Sequence, residues 1–138
     1  MPIDRNKVTL TDIAQGYDAI AEKVFVSQYF YDEVLDIVPQ FSGDILEIGV
    51  GQGVVLKNIA SRGGKDIKSL TGIDLSPKLM AMARTAVPQA KIIEADARSL
   101  PFENDSFDMV VLIDTFQYML APKEVLDEIH RVVRPKGK

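Results

Sequence analysis

Residues 44–53, DILEIGVGQG, run from an apolar stretch into glycines 49, 51 and 53. Asp44–Ile48 reads as a strand, Gly49–Gly53 as a loop, and Val54–Arg62 as a helix ended by Gly63 and Gly64. Glycine at this density gives up side-chain packing, which suits a backbone that something approaches closely. Three readings of the loop are open. It is a bare strand-to-helix turn, or it cradles a pyrophosphate at a helix N-terminus, or it meets a ligand without phosphate. The dinucleotide pattern is G-x-G-x-x-G, whereas the spacing here is G-x-G-x-G, with Val54 in the third glycine's place. Glu47 stands two residues ahead of the first glycine. A carboxylate there repels a pyrophosphate and favours a ligand carrying positive charge.

Strand and helix patterns alternate on both sides of this stretch. Leu10, Ile13, Ala14, Tyr17, Ile20, Ala21 and Val24 fall on one face of an amphipathic helix, which Thr11 or Asp12 could cap. A second helical pattern, through Phe30, Val34, Leu35, Ile37 and Val38, stops at Pro39. Downstream, Ser69–Ile73 is a strand closing on Asp74. Ser76-Pro77 then starts a helix to about Ala86, with serine as N-cap and proline at the first helical position. Lys91–Glu94 is a third strand and Asp108–Ile113 (DMVVLI) a fourth, apolar on both faces. A last helix runs from about Pro122 to Val133.

This order is the α/β signature, and strands apolar on both faces belong to a sheet covered on both sides. A Rossmann-like three-layer αβα sandwich with a mostly parallel sheet follows. Right-handed crossovers bring the loops after the strands to one rim, where such sheets bind ligands. Residues 1–40 are read as an N-terminal helical segment and 41–138 as the core.

Composition narrows the function. The chain has 138 residues, 46% apolar and 26% charged, with a net charge of -4. That is a globular profile without the electrostatic footprint of a nucleic-acid binder. Cysteine is absent and His130 is the lone histidine, so neither a thiolate site nor a histidine metal cluster is expected. With no apolar run of membrane-spanning length and no signal-peptide profile, a cytoplasmic protein is expected.

Three acids mark the rim besides Glu47. Asp74 ends the second strand, 25 residues after Gly49. It can accept from both hydroxyls of a ribose, or cap the following helix. Asp96 follows the third strand and can accept from an adenine amino group, with the Ala97 amide meeting a ring nitrogen; otherwise it caps the turn into Ala97–Leu100. Asp114 follows the fourth. A nucleoside that bears positive charge and no phosphate describes S-adenosyl-L-methionine (SAM), whose ammonium and sulfonium suit Glu47. NAD is the rival that Glu47 and the spacing disfavour.

DILEIGVGQG, GIDLSPKLMAMAR, ADARSLPFENDSFDMVV and IHRVVRPKGK together resemble consecutive blocks of the class I SAM-dependent methyltransferases. The nearest type is the small-molecule branch of ubiquinone- and menaquinone-biosynthesis-like enzymes. The resemblance implies SAM as cofactor, with Glu47, Gly49 and Gly51 at its methionine end, Asp74 at the ribose, and Asp96 with Ala97 at the adenine. Leu75 and Leu79 would pack the adenosine, or serve as plain core residues. Ile113 and Asp114 would border the sulfonium. Tyr17 would lie on a helix closing over the cofactor, or be a core aromatic. His130 reads as a solvated helix residue. Phe116-Gln117-Tyr118 stands where many relatives carry a histidine pair, so no catalytic residue is named, although Asp114, Gln117 and Tyr118 are well placed.

The full fold of that family has seven strands, and the sequence stops where the fifth is expected. The resemblance therefore implies the order 3-2-1-4 with strands 5–7 missing. Methyl transfer to a small-molecule acceptor is the leading reading. The alternative is a non-catalytic SAM-binding module or a fragment of a longer enzyme. An apolar fourth strand at the sheet's edge also points to a homodimer or larger assembly through Val110–Ile113.

Overall fold

A computed structural model gives the fold and describes residues 8–21 and 28–138. Among these, the helices are α1 (Leu10–Ile20), α2 (Gln28–Asp36), α3 (Val54–Gly63), α4 (Pro77–Ala86) and α5 (Pro122–Val132). The strands are β1 (Gly43–Ile48), β2 (Ile67–Asp74), β3 (Lys91–Glu94) and β4 (Met109–Val111). A short 3-10 turn, Phe116–Tyr118, follows β4.

The four strands form one parallel sheet in the order β3-β2-β1-β4. Ile48 pairs with Ile73, Ile73 with Ile93, and Leu46 with Val110. Successive side chains alternate between faces, which is why the strands are apolar throughout. Ile45 joins a cluster with Leu56 and Ile59 of α3 and Met80 and Ala83 of α4. Leu46 and Ile48 join Val125 and Val132 of α5 on the other side. Leu56, Ile59, Val125 and Val132 are wholly buried, and each such side chain contributes about 1.5–3 kcal/mol. The result is the three-layer αβα sandwich.

Two features of the loops set the site. Ser76 caps α4, its hydroxyl accepting from the Leu79 N–H at 3.2 Å, with Pro77 opening the helix. A Cβ on Gly53 would lie 3.0 Å from the Ala83 Cα, so the third glycine of the loop lets α3 approach α4 rather than serving a ligand. At the opposite end of the strands, Arg134 clamps β1 to the start of β4. Its Nη1 donates to Asp44 at 2.9 Å and to Asp108 at 2.7 Å.

Several expected boundaries shift. Thr9, not Thr11 or Asp12, is the N-cap of α1; Asp12 closes a capping box by accepting from the Thr9 N–H. Val24, assigned to this helix from its spacing, lies outside the described residues. The fourth strand ends at Val111 instead of Ile113. Its partner β1 pairs no further than Glu47↔Val111, and the chain soon turns through Asp114 at φ 55. The outer edge of β4 is not bare at Val110. The Val110 N–H donates to the Lys138 carbonyl at 2.9 Å, and the Lys138 N–H to the Asp108 carbonyl at 3.0 Å.

Candidate functional site

Tyr17, Glu47, Gly49, Gly51, Asp74, Leu75, Leu79, Asp96, Ala97, Ile113 and Asp114 all line one cavity of about 330 Å³. It opens beyond the carboxyl ends of the strands, with α1 and the Phe116–Tyr118 turn beside it. The parallel topology makes this convergence: each strand ends at the same rim, and the next residue turns into it.

Glu47 is the most unusual group. Strand alternation points it to the α3 side, and it is 2% exposed. Its Oε2 is buried with no hydrogen-bond partner among the described residues. Burial pushes its carboxyl well above the usual value and the nearby Asp74 charge adds to this, while a backbone hydrogen bond from Leu56 works the other way. An orphaned carboxylate oxygen facing a cavity is a costly arrangement for an empty fold and a sensible one for a cationic ligand.

Asp74 organises the loop. Its Oδ2 accepts from the Gly51 N–H at 2.9 Å, and its Oδ1 from Leu75 N–H at 2.8 Å and Ser76 N–H at 3.0 Å. The Gly49 and Val50 N–H groups both donate to the Ile73 carbonyl at 2.9 Å. The capping role foreseen for Asp74 is therefore present, although the N-cap of α4 is Ser76. Ionised carboxylates have about four acceptor positions, so three backbone bonds leave capacity for a ligand hydroxyl. Gly51 has φ +51, and no atom lies within 4 Å of where its Cβ would be: that side of the loop faces open cavity.

Asp96 is engaged by Arg98, whose backbone N–H donates at 2.9 Å and whose Nη2 donates at 2.8 Å. Burial raises the Asp96 carboxyl, but the Arg98 hydrogen bonds outweigh it and hold the group below its ordinary range. The turn-capping alternative is thus realised. Arg98 also lines the cavity, a cation absent from the sequence reading, and its position two residues after Asp96 in ADAR was the available signal. Leu79 is both buried core and cavity wall, whereas Leu75 is half-buried.

Tyr17 is not a core aromatic, since α1 contains no buried residue. The helix lays Leu10, Ile13, Tyr17 and Ile20 against the cavity. Three hydrogen bonds hold it there: Asp18 accepts from the Ser76 hydroxyl at 2.5 Å and the Lys78 N–H at 3.1 Å, and Gln52 donates to the Ala21 carbonyl at 2.8 Å. Tyr17 meets Tyr118 edge-on, with ring centroids 6.1 Å apart. Its phenol is pushed up to about 12, first by burial and then by Tyr118, Asp74 and Asp114. Tyr31 of α2 also lines the cavity and was not foreseen. Gln117 donates to Asp114 at 2.5 Å, and His130 is exposed on α5.

The sequence profile of the methyltransferase domain matches residues 46–138. The chain belongs to this methyltransferase family. The phosphoethanolamine N-methyltransferase 2 of Caenorhabditis elegans is 31% identical over 147 aligned positions, covering 99% of this chain and 32% of that protein. The phosphatidylethanolamine N-methyltransferase of Cereibacter sphaeroides is 34% identical over 102 residues, covering 70% of this chain and 48% of its own length. The chain thus spans less than half of either relative. The crystal structure of the cyclase SpnF has the same fold, with a TM-score of 0.78 at 20% identity, covering 94% of this chain and 58% of that one. These names do not single out a quinone-biosynthesis branch, and membership stands at the level of the methyltransferase domain.

The residues present in this methyltransferase domain fit SAM. The unpartnered Glu47 oxygen suits an ammonium, the open side of Gly51 admits a ligand chain, and Asp74 retains acceptor capacity for a ribose. Among the described residues no helix is long and apolar enough to cross a membrane.

Proposed function

We propose that the chain binds SAM in this cavity and serves methyl transfer to a small-molecule acceptor, in the cytoplasm. The observation that carries the reading is the buried Glu47 oxygen without a partner beside the glycine loop. Glu47, Gly49 and Gly51 hold the methionine end, and Asp74 accepts from a ribose hydroxyl. Leu75 and Leu79 pack the adenosine, and Asp96 with the Ala97 amide reads the adenine edge, sharing its carboxylate with Arg98. Ile113 and Asp114 border the acceptor side. Bound SAM supplies a methyl group activated by its sulfonium.

The protein's own task is then alignment and exclusion of water. Among the described residues before about 40, α1 acts as the lid, pinned over the cavity through Asp18 and Gln52. Residues 41–138 form the core that carries the loops. Asp114 and its Gln117 partner stand where an acceptor proton could be received, which is needed only when the acceptor must lose one. We further propose a dimer through the edge of β4 beyond Val110.

Transfer of a labelled methyl group from SAM to amines, phenols and thiols tests the reading. Label appearing on one acceptor class above the rate without protein supports it. Tight SAM binding with no transfer to any class would favour the alternative of a non-catalytic binding module.

A further inference from the structure

The acids lining the cavity outnumber its cations. Glu47, Asp74, Asp96 and Asp114 face it, while Arg98 is the only lysine or arginine among the described lining residues and is bound to Asp96. SAM brings a net charge of about +1, from one carboxylate, one ammonium and one sulfonium. Its ammonium is provided for by the deep, unpartnered Glu47 oxygen. An acidic surplus therefore remains at the mouth, where Asp114 is exposed.

Three tyrosines from separate segments gather around that acid. Tyr17 and Tyr118 are in edge contact, and the Asp114 charge reaches the phenols of both Tyr17 and Tyr31. Both phenols are raised by burial first, so they stay neutral and present rings and hydroxyls without charge. Neutral aromatic faces beside a carboxylate are a recognition surface for an organic cation. Beyond them, Ile20 and Leu120 line the cavity while remaining 46% and 40% exposed. Large apolar side chains left exposed at a cavity mouth suit an apolar ligand body.

We propose that the acceptor side of this cavity binds an amine carried on an apolar body, held as its cation by Asp114 and the tyrosine rings, and that it rejects anionic acceptors; the ammonium passes its proton to Asp114 before the freed nitrogen lone pair takes the methyl and SAM leaves as the neutral thioether. The inference rests on the SAM reading above, because it places the acceptor beside a bound cofactor.

The test is calorimetric titration of the protein saturated with S-adenosylhomocysteine, the demethylated product. The probes are octyltrimethylammonium, octanol and octanoate, which share one apolar chain and differ in charge. Octyltrimethylammonium should bind about tenfold or more tighter than octanol, and octanoate should not bind detectably. Asp114→Asn should erase the preference for the cation over octanol, and Tyr118→Leu should reduce it several-fold. Equal affinity for octanol and the cation, or tighter binding of octanoate, would overturn the inference. If S-adenosylhomocysteine binds and none of the probes does, this inference fails while the SAM reading stands. If S-adenosylhomocysteine itself does not bind, both fail together.

Discussion

Replacing Asp74 by alanine should weaken both the fold and the cofactor site, by amounts the contacts around it allow us to separate. Its carboxylate accepts from three backbone N–H groups, at Gly51, Leu75 and Ser76, all at 2.8–3.0 Å. Hydrogen bonds to a charged group contribute about 1.5–3 kcal/mol each when well buried. These three are partly buried, so water can reach the freed donors and the total loss should be about 2–4 kcal/mol. At a urea slope near 2 kcal/mol/M, the midpoint should fall by about 1–2 M. Asp74→Asn keeps one acceptor oxygen and can retain the Leu75 and Ser76 bonds, so it should lose roughly half as much. SAM affinity of either folded variant should fall roughly tenfold to a few hundredfold, the effect of losing a charge-assisted bond to ribose. Circular dichroism in urea and calorimetry on the same samples read the two effects. A parent-like midpoint for the alanine variant would refute the loop-anchoring argument, and unchanged SAM affinity would refute the ribose assignment.

Other substitutions test separate parts of the site. Gly51→Val should abolish SAM binding because its side chain enters open cavity, whereas Gly53→Ala should destabilise the fold by crowding Ala83; parent-like SAM affinity in Gly51→Val would show that the loop does not meet the ligand. For Glu47 the carboxyl is held well above 4.5, so folding takes up a proton there. The stability this gives is full below the unfolded value and is lost as pH rises through the folded one. Glu47→Gln should flatten that fall in urea midpoints measured from about pH 5 to about pH 8, and an unchanged profile would remove Glu47 as its source. Sedimentation at micromolar concentration should show a dimer that Val111→Lys weakens; a monomer in the parent would remove the β4-edge proposal.

The fold was legible from DILEIGVGQG and the blocks after it because a doubly covered parallel sheet writes continuous apolar strands with rim residues at their ends. Ser76-Pro77 named its own helix start, and every residue assigned to the site from the motifs does line the cavity. What was not legible depended on contacts between distant segments. Periodicity gave α1 an apolar face, but not that the face would lie over a cavity without burying a residue. Nothing local joins Asp18 to Ser76 or Gln52 to Ala21 across 58 and 31 positions. Arg98 was hidden for the opposite reason: it sits so near Asp96 that its pairing reads as turn chemistry, and only the cavity shows that both face a ligand space. The end of β4 was misjudged because apolar residues continue to Ile113 after the pairing with β1 stops at Val111.

The reading of the site requires a phosphate-free, cationic nucleoside in the cavity beside Glu47. Calorimetric titration of the unmodified protein with SAM, followed by competition with NAD, tests it most directly. The expected result is one SAM per chain at roughly micromolar affinity, equivalent to about 8 kcal/mol, and no displacement by millimolar NAD. Because the ammonium stabilises ionised Glu47, binding below its raised pKa should also release a proton, seen as a heat that depends on the buffer. Absence of SAM binding, or displacement of SAM by NAD, would contradict it.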